Sequence, residues 1–153
     1  MATTARTTGR TTTLQKTTQA VGAVFLLVGI LGFIPGITSN YDSLSFAGHD
    51  SEALLLGIFQ VSVLHNIVHL LFGAAGLAIS RSHGRSRSFL LYGGVIYMVL
   101  WLYGLLIGHD SGANFVPVNN ADNWLHLLLG LAMIALAILL SRDTRPRGTA
   151  SAQ

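Results

Sequence analysis

LHNIVHLLFG, residues 64–73, sets His65, Asn66 and His69 into a run that is otherwise leucine, isoleucine, valine and phenylalanine, and NWLHLLLG, residues 123–130, does the same with Asn123 and His126. An apolar run carrying imidazoles and amides is either a buried core helix or a membrane span, and the remainder of the chain decides between the two. The 153 residues are 51% hydrophobic and 10% charged, with a mean hydropathy of +0.58, which is a membrane composition. Four segments, 20–34, 53–79, 89–107 and 124–140, contain no Asp, Glu, Lys or Arg. Runs of about 20 apolar residues match the thickness of a hydrocarbon core, and unbroken runs point to helices, since barrel strands would alternate. The first segment follows a basic N-terminus, but GFIPGITSN carries no Ala-x-Ala cleavage site, so it reads as a retained span. The expected fold is an all-α membrane protein, a four-transmembrane-helix bundle.

Charge is partitioned between the connections. Arg6, Arg10 and Lys16 precede the first span, Arg81, Arg85 and Arg87 link the second and third, and Arg142, Arg145 and Arg147 follow the fourth. Asp42, Asp50, Glu52, Asp110 and Asp122 lie in the other two connections, with Asp143 the one acid on the basic side. By the positive-inside rule both termini are cytoplasmic, in a multi-pass protein of the cell membrane. The pI of 9.8 then reflects topology and contact with the lipid bilayer, and gives no reason to expect a nucleic-acid partner. The sequence has no cysteine, which excludes disulfides, thiolate metal sites and covalent haem attachment. Residues 1–18, rich in threonine, and the tail 142–153 read as disordered cytoplasmic ends around a membrane domain at 19–141.

Set against itself, the chain divides into two tandem helix-hairpin repeats, about 19–81 and 89–142. Gly22, Phe25, Gly32 and Gly36 align with Gly94, Tyr97, Gly104 and Gly108; GHDSEA (48–53) aligns with GHDSGA (108–113); NIVHLLFG (66–73) aligns with NWLHLLLG (123–130). Each unit leaves the cytoplasm and returns, so the symmetry axis runs along the membrane normal and matched residues share a depth. Small and polar residues fall on one face of each helix: Ser62, Asn66, His69, Gly73, Gly76 and Ser80 in the second, Asn123, His126, Gly130, Met133 and Ala137 in the fourth. In lipid such faces meet, because close backbone approach and interhelical hydrogen bonds replace apolar burial as the packing force. Gly32 with Gly36, and Gly104 with Gly108, have the small-xxx-small spacing.

His69 and His126 occupy matched positions, ~15 to 21 Å from the cytoplasmic charges at 1.5 Å per residue, hence in the outer half of the bilayer. With helices 2 and 4 diagonal, the rings would face each other across the core. Simple packing accounts for them, with His65 as an interface or water-facing group. The functional alternatives are a haem b held between two neutral nitrogen ligands, or a divalent metal on His65, His69 and His126. In the outer loops His49, Asp50, His109 and Asp110 form a matched set that could bind metal, although Asp50 or Ser51 could equally cap helix 2, and Asp122 or Asn123 helix 4. No nucleophile–base–acid order, phosphate loop or buried carboxylate pair stands out. A non-enzymatic structural or accessory subunit, binding other membrane proteins, is therefore the first expectation, ahead of a haem or metal protein and of small-solute or proton transport.

The stretches GFIPG (32–36), YDSLSFAGHDS (41–51), LLGIFQVSVLHNIVHLLFGAAGLA (55–78), LWLYG (100–104) and ANFVPVNNADNWLHLLLG (113–130) resemble an actinobacterial integral membrane family known as domain of unknown function 4383. The resemblance covers about residues 10–141. It implies a four-helix membrane protein and brings no activity, substrate or site with it.

Overall fold

A computed structural model describes residues 11–141. The tail at 142–153 and most of the N-terminal arm lie outside the described residues, as do Arg6, Arg10, Arg142, Asp143, Arg145 and Arg147. Within them are four helices: α1 (Thr13–Leu31), α2 (Val63–Ile79), α3 (His83–Leu106) and α4 (Asn120–Leu139). α1, α3 and α4 are long and apolar enough to cross a membrane, and α2 is apolar but shorter, at 17 residues.

The starting residues follow from capping. Thr12 accepts the amide of Gln15 while the Gln15 side chain accepts the amide of Thr12, so α1 begins inside the threonine-rich arm expected to be disordered to residue 18. α3 likewise begins earlier than its apolar run, at His83, and takes Arg85 and Arg87 into its first turns. The link from α2 to α3 is thereby cut to Ser80–Ser82.

The apolar run 53–79 is not one helix, and the protein is not all-α. Leu54–Leu55 (β2) and Phe59–Gln60 (β3) form a hairpin that pairs with Thr38–Ser39 (β1) in an antiparallel sheet of order β1-β2-β3. The hairpin turns at Leu56 and Gly57, both with positive φ, at 55° and 71°. Glycine takes that conformation freely, and two such residues in sequence match the right-handed twist of the flanking strands. Hydropathy reads the segment as helix because its residues are apolar, but Ser62, whose hydroxyl accepts the His65 amide, starts α2 instead. Asp50 and Ser51 therefore do not cap it. Ser51 is fully buried, donates to the Val61 carbonyl at 2.6 Å and ties the start of the hairpin to its end. α4 is capped one turn earlier than expected, by Asn119 in a reciprocal box with Asp122.

α1 packs along α2 and α3 along α4, and α1 meets α3 across the centre. Glycine permits the close approach within each hairpin. A Cβ on Gly73 would meet the Leu26 amide nitrogen at 2.6 Å and the Gly22 carbonyl at 2.7 Å; one on Gly94 would meet the Gly130 carbonyl at 2.9 Å. Gly36 and Gly108 play no such part: both lie beyond the ends of α1 and α3, with open space where a Cβ would point or only Ser111 nearby. The buried core of the bundle includes Phe25, Phe89, Leu90, Tyr97 and Met133, and a second cluster of Ala53, Leu55 and Val61 lies under the sheet.

Candidate functional site

Four rings form a chain through the middle of the bundle. Phe25 of α1 meets His69 of α2 edge to face, with centroids 5.5 Å apart at 61°. Tyr97 of α3 meets His126 of α4 at 5.3 Å and 62°. Phe25 and Tyr97 then pack on each other at 5.6 Å. The two hairpins thus present one arrangement twice, and join it through the aromatic members. His65, whose ring meets His69 edge to face at 4.5 Å, is 8% exposed. It belongs to the centre, as an interface group beside His69 rather than a water-facing one.

The amides one turn outward repeat the correspondence. Asn66 lies against Gly32 and Asn123 against Gly104, each so close that a Cβ on the glycine would occupy the amide group. Both atoms of the Asn66 amide and Oδ1 of Asn123 are buried without a partner, as is Nδ1 of His65, His69 and His126. Buried polar atoms without partners are uncommon and each costs of order 1–3 kcal/mol, and here they gather on the facing sides of α2 and α4.

Two half-open grooves run into this centre from opposite sides. One, between α1 and α4, holds about 420 Å³. The other, between α2 and α3, holds about 220 Å³ and is walled by Val68, Ile96, Leu100 and Phe115. His65, His69, Tyr97 and His126 line both. At the outer end of the larger groove the β2–β3 hairpin is docked onto α4: the Gln60 amide donates to Asp122 Oδ2 at 3.0 Å, and Asn119 Nδ2 donates to the Ile58 carbonyl at 2.8 Å. Leu55, Leu56 and Phe59 of that hairpin wall this end.

Phe25 and Tyr97 pack on each other at the centre, the first against His69 and the second against His126, so a haem ring held by the two imidazoles would have to share the centre with both. Sequence reasoning placed Phe25 and Tyr97 on inward faces but did not see that matched positions on α1 and α3 would put them on the axis itself. Nor, among the described residues, do any three His, Cys, Asp or Glu side chains come together as a metal would require. In the outer loops His49 Nε2 pairs with its neighbour Asp50 at 3.3 Å, with Asp50 largely exposed. His109 contributes its carbonyl, which accepts from the buried Asn114 side chain. The two loops touch through the Gly48 amide and the Phe115 carbonyl, at 2.8 Å.

A multi-helix chain with an apolar exterior and a polar centre is the class that this architecture defines. The family described as a domain of unknown function (DUF4383) matches residues 15–139, and the chain belongs to it. No curated protein and no solved structure matches the chain.

Proposed function

We propose that the chain is a multi-pass protein of the cell membrane, made of two tandem hairpin repeats with both termini cytoplasmic, and that it serves as a non-enzymatic accessory subunit to other membrane proteins. The observation that carries this reading is the outer surface. Val24, Leu27, Leu71, Val99, Leu102, Leu128 and Leu131 stand exposed on all four helices, so between their ends the helices offer apolar side chain to lipid or neighbouring helices.

The repeat is supported by the matched ring pairs and matched amide–glycine contacts. The topology is supported by the ends of the helices. Thr12 and His83 touch at 3.0 Å, so α1 and α3 start together, beside Arg81, Arg85 and Arg87, while the loops bearing Asp42, Asp50 and Asp110 meet at the other end. α2 spans about 25 Å at 1.5 Å per residue, and the hairpin supplies the apolar surface above it.

The absence of cysteine from the sequence makes the test direct. Single cysteines at Ser43 and Ser111 should react with an impermeant maleimide in intact cells, and one at Ser82 only after permeabilisation; the reverse pattern overturns the topology. Extraction in mild detergent with crosslinking should recover a partner membrane protein in fixed ratio. Recovery of a lone monomer or homodimer would remove the accessory role.

A further inference from the structure

The larger groove is a built binding site rather than a gap between helices. Val24 and Val28 of α1 and Leu125, Leu129 and Ala132 of α4 give it apolar walls, and its polar groups are gathered at one end: His65, His69, Tyr97, His126 and Asp122. Its volume of about 420 Å³ lies within the ~300 to 1,000 Å³ usual for small-molecule pockets. An apolar slot with polar groups at one end fits an amphiphile whose tail lies between α1 and α4.

The polar end also defines the head. Among the described residues the lining holds no lysine or arginine, and its one formal charge is the acid Asp122. A fatty acid or phosphate head would find no cation to pair with, so the head is neutral. Nδ1 of His69 and His126 is buried without a partner. An unpartnered buried N–H is the costlier orphan, so the tautomer that leaves a bare lone pair on Nδ1 is favoured and the proton goes to Nε2. The Nε2–H of each ring and the Tyr97 hydroxyl are then the donors that these lining side chains have to offer, and their complement is an acceptor. The rings of Phe25, His69, Tyr97 and His126, in mutual edge-to-face and tilted contact, provide walls against which a flat head can lie.

We propose that the groove between α1 and α4 binds a neutral lipophile with a flat, carbonyl-bearing head of the isoprenoid-quinone class, its carbonyl oxygens on His69, His126 and Tyr97 and its tail leaving between the two helices toward lipid. This goes beyond the accessory role and stands or falls separately from it, since it needs only the membrane setting.

The test uses the full chain in lipid nanodiscs and a photoreactive azidobenzoquinone carrying a decyl tail. Labelling should saturate, should map to 21–28 and 125–136, and should be competed by unlabelled decylbenzoquinone, weakly by methyl laurate, and not by laurate. Ala132→Phe fills the slot from an exposed position on its wall and should abolish saturable labelling with the thermal transition unchanged. Tyr97→Phe keeps the ring and should weaken binding about tenfold, the usual worth of one hydrogen bond. Competition by methyl laurate as strong as by the quinone would transfer the site to ester lipids and overturn the quinone assignment. Labelling spread without saturation over exposed faces such as Val95 and Val99, or unaffected by Ala132→Phe, would overturn the site altogether.

Discussion

The two hairpins agree inside and differ outside. Within the helices, Phe25 with His69 and Tyr97 with His126 have the same spacing and tilt, and Asn66 on Gly32 repeats as Asn123 on Gly104. Beyond the helix ends, the first hairpin folds residues 38–60 into a three-stranded sheet, whereas the second closes with an irregular loop tied by the buried Asn114, which bonds the carbonyls of His109 and Val118. Interhelical contacts at backbone distance leave no freedom to drift, while a loop is held only by its own hydrogen bonds and can be rebuilt. The boundary between the two regimes falls at one position: His65 and Asp122 each immediately precede the matched asparagine and both reach the backbone of Gln60, yet only His65 has a ring, which meets His69 edge to face.

The largest effect is expected where the agreement is closest. Gly73→Ala would drive its Cβ into the Leu26 amide and the Gly22 carbonyl, which are backbone and cannot move aside. It should cost about 3 kcal/mol in detergent unfolding. Gly130→Ala meets first the Met98 thioether, at 2.8 Å, which can swing away, so its cost should be nearer 1 kcal/mol. Equal losses would mean that the two helix pairs are not packed as described.

Next is the docking of the sheet. Asp122→Ala removes the acceptor of both the Gln60 and Asn119 amides, and should cost about 2 kcal/mol while exposing the 54–60 hairpin to protease. Gly32→Ala and Gly104→Ala should each cost about 1 to 2 kcal/mol by evicting an amide, and each should be rescued by Asn66→Ala or Asn123→Ala respectively, read as recovery of the thermal transition. Rescue on one side alone would break the correspondence. The smallest effect is at Leu56, where an exposed leucine holds φ 55°; Leu56→Gly should stabilise by up to about 1 kcal/mol, seen as a modest rise in Tm.

Helical character was legible because apolar runs uninterrupted by charge have few other solutions, and the inward faces because small and polar residues recur every three or four positions. Two things were not. The hairpin at 54–60 is as apolar as the helix it adjoins, so hydropathy merges them; the sign was Gly57 between two short β-prone pairs, with Ser62 as a cap behind it. The ring contacts at the centre were the other. Which helices meet there is set by packing, and here α1 and α3 bring Phe25 and Tyr97 against each other, one beside each histidine. His65 has no matching histidine in the second hairpin, where Asp122 fills the position.

The central claim is that matched residues of the two hairpins meet on the axis inside the bundle. Thiol crosslinking of the double variant Phe25→Cys/Tyr97→Cys in native membranes with a short bis-methanethiosulfonate tests it, with Val24→Cys/Ile96→Cys, matched but exposed on opposite grooves, as the control. The account predicts an intrachain crosslink in the first pair and none in the second. A crosslink in the control pair alone, or crosslinks only between chains, would contradict it.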